Sequence, residues 1–230
     1  MEIALLSCYI DQLRHGHIDQ VFHNFSSIKS YAKIELVLDP FKNDFDGKFT
    51  AYVWEDFYSE VKEDFPENAP EARGYLVTMT QSVDTHHAGA MMNHRSHTGI
   101  IIYLYRATII WYSKEKAAVK SSTFLSGMRD MWTGMELTKG LHYKLSILDV
   151  LVDEPTMVFC DNKLVGTNMS VPTSTLAKKY SSICYHALRE AVAAGIHQIM
   201  HIAGEFNTAD VLTKLSAAEV RMPHIGRIFN

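Results

Sequence analysis

The sequence predicts a mixed α/β domain over residues 74–215, preceded by a helical and acidic segment. Short runs of strand composition, such as TMVFC at 156–160, alternate with two long runs of helical spacing. Their order reads β-β-β-α-β-α-β-α, the order of a sheet layered with helices. Hydrophobic residues make up 47% of the 230, enough to fill one core with a smaller appendage.

The elements follow in order. Residues 1–31 have helical spacing, with Ile18, Val21, Phe22, Phe25 and Ile28 three and four apart. KIELVL, residues 33–38, alternates like a strand and stops before Asp39-Pro40. Residues 39–73 hold Pro40, Pro66, Pro70 and ten acids against four bases, a net −6. They read as an acidic linker with one short docked helix near 54–63, a disordered segment being the alternative. Within 74–215, eleven acids face thirteen bases, a net +2. Mild basicity of this kind permits nucleic-acid binding without predicting it. Leu76–Val83 reads as a strand, and Gly99–Leu104 with Thr108–Tyr112 as a hairpin around Tyr105-Arg106-Ala107. A long helix spans Ser122–Leu148, with cap candidates at 121–123 and a core stripe of Met128, Met131, Trp132 and Met135. Thr156–Cys160 is a short buried strand. Ser174–Ala194 is a second helix, closed by Gly195. Ile196–Ile202 is a last strand, Asn207–Lys214 opens a last helix, and 216–230 form a tail.

No run approaches 18 apolar residues, so no membrane span is expected. The N-terminus lacks a basic stretch and is broken by Asp11, which argues against a signal peptide. Cys8, Cys160 and Cys184 are isolated thiols, as in a reduced, intracellular protein.

VFCDNKLV at 158–165 runs an apolar strand straight into Asp161. A lone buried carboxylate is costly, so Asp161 needs a cation or donors. Asp84, in SVDTHHAG, ends the first strand, and Asp210, in GEFNTADVLTK, begins the last helix. If the first two strands are neighbours, these acids converge and require a divalent ion, which magnesium's preference for carboxylate oxygen fits. The competing expectation is that Asp161 and Asp210 are helix N-caps. His86, His87, His94 and His97 resemble a zinc set only superficially. Arg95, His97, Lys114 and Lys116 read instead as exposed cations able to touch phosphates. His186 and Arg189 read as structural.

Five stretches in order carry a family resemblance: SVDTHHAGAMMNHRSHTGIIIYL, IIWYSKEKAAVKSSTF, VFCDNKLV, KKYSSICYHALREAVAAG and NTADVLTK. Together they resemble the ribonuclease H domain of copia-type retrotransposon polyproteins. RHGHIDQVFHNFSSIKSY and ELVLDP resemble the segment joining reverse transcriptase to that domain, so residues 1–38 read as a reverse-transcriptase remnant. The polymerase's Asp-Asp motif is absent. The resemblance implies a five-stranded sheet, its first three strands antiparallel, with helices on both faces. It implies metal-dependent hydrolysis of RNA in RNA–DNA hybrids, with Asp84, Asp161 and Asp210 holding magnesium or manganese. The implied partners are the hybrid and other parts of a retrotransposon polyprotein.

The family's second carboxylate, a Glu early in the long helix, is missing. Gly127 falls at its position, and Asp130 lies a turn further on. His86 and Ala90 stand where the family has acids, and Lys163 replaces a Gln. Gly127 and Gly134 are also poor helix formers. Together these departures imply a degraded copy with impaired hydrolysis. A non-catalytic hybrid-binding module and an inert remnant are the alternatives.

Overall fold

The computed structural model describes residues 14–30, 52–58, 60–63, 67–68, 74, 76–87, 94–117, 122–153, 155–176, 181–214 and 224. The strand read at 33–38 and nearly all of the tail lie outside them.

The helices are α1 (His15–Ser30), α2 (Glu55–Tyr58), α3 (Thr123–Ile147), α4 (Lys163–Ser170) and α5 (Ser182–Ala193). The strands are β1 (Leu76–Val77), β2 (Met79–His86), β3 (His97–Leu104), β4 (Ala107–Glu115), β5 (Leu151–Val152), β6 (Thr156–Cys160) and β7 (His197–His201). Two 3₁₀ segments follow, Gly204–Phe206 and Thr208–Leu212. The main sheet has the order β4-β3-β2-β6-β7. β2, β3 and β4 are antiparallel, and β6 and β7 add in parallel. β1 and β5 pair separately.

Period-two alternation divides the sheet's two faces. Met79, Val83, Ile100, Ile102 and Val158 point into the main core, against Leu125, Met128, Met131 and Met135 of α3. Val165 and Met169 of α4 and Leu188 of α5 complete it. The expected methionine stripe is therefore core, with Trp132 packed at its edge. Ile101 and Tyr103 point to the opposite face, where Val211 and Leu212 cover them. Ser122 caps α3, its side chain accepting from Leu125 N. Gly195, at φ +72, follows the C-terminus of α5 in the left-handed region that glycine adopts without penalty.

Gly134 corrects an expectation. It is not a mark of decay: a Cβ there would collide with Gln81 Nε2 and lie 2.9 Å from Gln81 Cδ. Gln81 is fully buried in the centre of β2, so the glycine leaves room for its side-chain amide against α3.

The helix expected near 54–63 is the single turn α2, and its segment docks on the domain. Arg189, buried, stacks between the rings of Trp54 and Tyr185, each 4.9 Å away. Its guanidinium also donates to Asn168 O, Val171 O and Pro172 O, which ties down the turn between α4 and α5. Tyr58 Oη meets His186 Nδ1 at 2.7 Å, and Glu63 meets His142 at 2.9 Å. Arg189 and His186 are thus structural. No helix among the described residues is long and apolar enough to cross a membrane.

Candidate metal centre

Strand register brings two of the carboxylates together. β2 and β6 pair in parallel from Thr80↔Met157 to Val83↔Cys160. The next residues on the two strands are Asp84 and Asp161. Val83 enters the main core, so by alternation Asp84 faces the 3₁₀ side.

A polar layer delivers the third. Asn207 Nδ2 donates to Val83 O at 2.9 Å, and Asn207 Oδ1 accepts from Ala209 N at 3.2 Å. Tyr103 Oη donates to Thr208 Oγ1, which donates to Ser82 Oγ. Ser113 Oγ donates to Leu212 O, and Thr213 Oγ1 to Asp84 Oδ2. These bonds seat the Thr208–Leu212 segment across the ends of the strands. Gly99, opposite Asp84 in the β2–β3 register, makes room for it. A Cβ on Gly99 would lie 2.6 Å from Thr213 Cγ2 and 2.8 Å from Ala209 O.

The result is a cluster. Asp84, Asp161 and Asp210 each offer an oxygen, and these oxygens lie within 4.8 Å of one another. The four histidines read as superficially zinc-like form no such group among the described residues. The N-cap alternative fails for both aspartates: Asn162 caps α4 and Asn207 caps the 3₁₀ segment.

Crowding shows in the proton affinities. Burial, then the charge of Asp84, pushes the Asp161 carboxyl above its usual range. The same two causes push Asp210 up to about 6. Asp84 Oδ1 is buried and accepts no hydrogen bond. A cation does reach the cluster: Lys214 Nζ lies 2.8 Å from Asp210 Oδ1, 3.5 Å from Asp84 Oδ1 and 4.0 Å from Asp161 Oδ2. Burial works against charging Lys214, but its hydrogen bond to Asp210 and the surrounding carboxylates outweigh it and raise its pKa. Sequence reasoning overlooked this lysine. Its signal was the four-residue spacing from Asp210 in a helical motif.

Gly127 lies on the α3 face that meets Asp161. A cavity of about 40 Å³ is lined by Thr85, Thr123, Gly127, Asp161, Asn162 and Val165, among others. Asp130 does not share this cavity. It is buried beside Lys116, whose Nζ is 2.8 Å away, and accepts from Thr85 and Thr98 hydroxyls.

Two of the four expected phosphate-contacting cations need correction. His97 is 4% exposed, because alternation turns it under the 3₁₀ segment, where Nε2 meets Ser113 Oγ at 3.0 Å. Lys116 folds inward to Asp130 and donates to Ser126 O at 3.0 Å. Lys114 is exposed, and Arg95 is partly exposed beside Glu115 at 3.5 Å.

No family model matches the chain. Two curated relatives, the retrovirus-related Pol polyproteins from transposons RE2 and RE1 of Arabidopsis thaliana, are each 28% identical over 143 residues, 62% of this chain. The chain spans about a tenth of their length. Similar solved structures include the N-terminal RNase H domain of a Mycobacterium tuberculosis protein, at 13% identity and a TM-score of 0.46, covering 65% of this chain and 97% of that one. Another is LC11-RNase H1 in complex with an RNA/DNA hybrid, at 16% identity and 0.47, covering 59% and 94%. The sheet has the five strands, with the first three antiparallel, that the resemblance implies. The chain is thus similar in sequence to retrovirus-related Pol polyproteins of transposons, and its described residues form a mixed five-stranded sheet layered with helices.

Proposed function

We propose that this chain is a copia-type retrotransposon segment: a reverse-transcriptase remnant at 1–38, an acidic linker at 39–73 and a ribonuclease H-like domain at 74–215. Its substrate is the RNA strand of RNA–DNA hybrids, and its cofactor is magnesium or manganese. The observation that carries this reading is the meeting of Asp84, Asp161 and Asp210 at the ends of two parallel strands.

The donors fit a hard divalent cation. All are carboxylate oxygens, and one of them, Asp84 Oδ1, is buried without a hydrogen bond. The adjacent thiol offers no competing soft ligand, since burial pushes Cys160 up to about 12. Bound in pairs, such ions activate water and stabilise the attacking and leaving oxygens of a phosphodiester. The chain's own residues supply the frame. Thr213 orients Asp84 through Oδ2, leaving Oδ1 facing the cluster. Asp161 and Asp210 are half-buried, so they border both the cluster and the approach from solvent. Gly127 stands where the family's second carboxylate is expected, and the cavity beside Asp161 supports that placement. Three carboxylates make a weaker site than four, so hydrolysis in this copy is slow. Losses even in the outer shell of a metal site cost ~10–100-fold.

The test is cleavage of a labelled RNA–DNA hybrid, first with magnesium and then with manganese. Slow, metal-dependent cleavage that Asp161→Asn abolishes is expected. Hybrid binding that falls steeply with salt, without cleavage, would assign a non-catalytic module instead. Neither binding nor cleavage would refute both.

A further inference from the structure

Lys214 sits against the three acids that would hold a metal. Its Nζ is 2.8 Å from Asp210 Oδ1, 3.5 Å from Asp84 Oδ1 and 4.0 Å from Asp161 Oδ2, so one ammonium faces all three acids. Its backbone is anchored there. Lys214 N donates to Asp210 O at 2.9 Å, and the neighbouring Thr213 is tied to Asp84. The stem is the adaptable part: the side chain is 34% exposed and flexible, with a route to water.

We propose that Lys214 is the cluster's resident counter-ion, neutralising it in the absence of metal and giving up its place when a divalent cation binds. The inference rests on the metal reading above. Three crowded carboxylates repel one another, and the ammonium offsets part of that repulsion. A divalent ion contests the same oxygens and repels the ammonium that already holds them. Magnesium bonds its oxygens at ~2.0–2.1 Å, closer than the ammonium's hydrogen bond. Displacing Lys214 is therefore part of every metal-binding event. The arrangement also sorts ions by charge. A monovalent ion brings no more charge than the ammonium it displaces, whereas a divalent ion brings twice as much. Lys214 is thus a positioning and selectivity residue.

The experiment uses the full chain and manganese at pH 7.5, followed by calorimetric titration and by thermal melting. Lys214→Met keeps the stem and removes the charge, Lys214→Gln removes the charge but stays polar, and Lys214→Arg keeps the charge. Lys214→Met and Lys214→Gln should bind manganese roughly 10-fold more tightly than the parent. Without metal they should melt lower. Lys214→Arg should bind no more tightly than the parent. If the parent binds manganese and loses it in Asp161→Asn, yet the uncharged variants gain nothing, the Lys214 assignment is overturned and the metal site stands. If Lys214→Met does not fold, Lys214→Gln decides. Absence of manganese binding in every variant overturns the metal reading and this inference together.

Discussion

Gly99→Ala asks whether one close approach assembles the site. The added methyl would meet Thr213 Cγ2 at 2.6 Å, Ala209 O at 2.8 Å and Leu212 Cβ at 3.0 Å. Ordinary carbon–carbon contacts lie at ~3.5–4.0 Å, so the segment must retreat by about 1 Å. Ala209 and Thr213 are fully buried, and the nearest oxygen belongs to the backbone, so no side-chain rotation relieves the clash. Overpacking of this kind costs ~1–3 kcal/mol. Restricting the unfolded chain returns ~0.4–1 kcal/mol. The expected net loss is about 1–2 kcal/mol. Asp210 lies on the displaced segment, and metal sites tolerate only ~0.2 Å of misplacement. Manganese affinity should therefore fall by ~10–100-fold, a loss larger than the stability change alone would produce. Urea unfolding with and without manganese, together with a manganese titration, reads both effects. A variant with the parent's urea midpoint and manganese affinity would refute the claim that Gly99 seats Asp210.

The same reasoning extends to the α3 glycines. Gly134→Ala should destabilise the domain by about 1 kcal/mol or more, because the clash with buried Gln81 outweighs the ~1 kcal/mol helix gain; a raised melting temperature would count against it. Gly127→Ala should be nearly neutral, since a tight 3.2 Å contact with the buried Val165 Cγ2 offsets the ~1 kcal/mol helix gain. Gly127→Glu should enlarge the magnesium-induced rise in melting temperature and speed cleavage; an unchanged metal response would remove Gly127 from the site. Asp210, raised from 3.8 to about 6, favours its protonated form in the folded chain. Its stabilising contribution without metal is complete below the unfolded value and is lost as pH rises through about 6. Because metal competes with that proton, the manganese-induced melting shift should grow from pH ~5 to pH ~7. A shift that stays flat across this range would contradict the coupling.

Local composition made much of the fold legible. TMVFC lies between Pro155 and Asp161-Asn162, and its strand has the expected bounds, Thr156–Cys160. β4 runs three residues past Tyr112, to Glu115, because it is an edge strand. Its polar Ser113, Lys114 and Glu115 pair with Gly99, Thr98 and His97 without needing a buried face. Helix α4 was implied by the N-cap expectation for Asp161 but left out of the element order, since KLVGTNMS is short and contains Gly166. The second long helix is correspondingly shorter than read, starting at Ser182 rather than Ser174. The turn before it depends on Arg189 binding three carbonyls 17 to 21 residues away, a tertiary effect.

The site was legible in its acids but not in its cations. Asp84 and Asp161 follow the last paired residues of adjacent strands, a consequence of register that spacing alone leaves open. Asn162 and Asn207 took the capping roles, and no local pattern ranks Asn162 above its neighbour Asp161. Lys116 looked like a surface charge because its partner, Asp130, is distant in sequence and buried under the sheet. Lys214 stood inside a motif already singled out, but its role depends on three acids that only the fold brings together.

Anomalous scattering from a manganese-soaked crystal of the full chain tests the central claim most directly. A peak is expected bonded to Asp84, Asp161 and Asp210, at about 2.1 Å from its oxygens. Lys214 Nζ should have left its position 2.8 Å from Asp210 Oδ1. A saturating soak that leaves the three carboxylates without a peak, and Lys214 still on Asp210, would contradict the account.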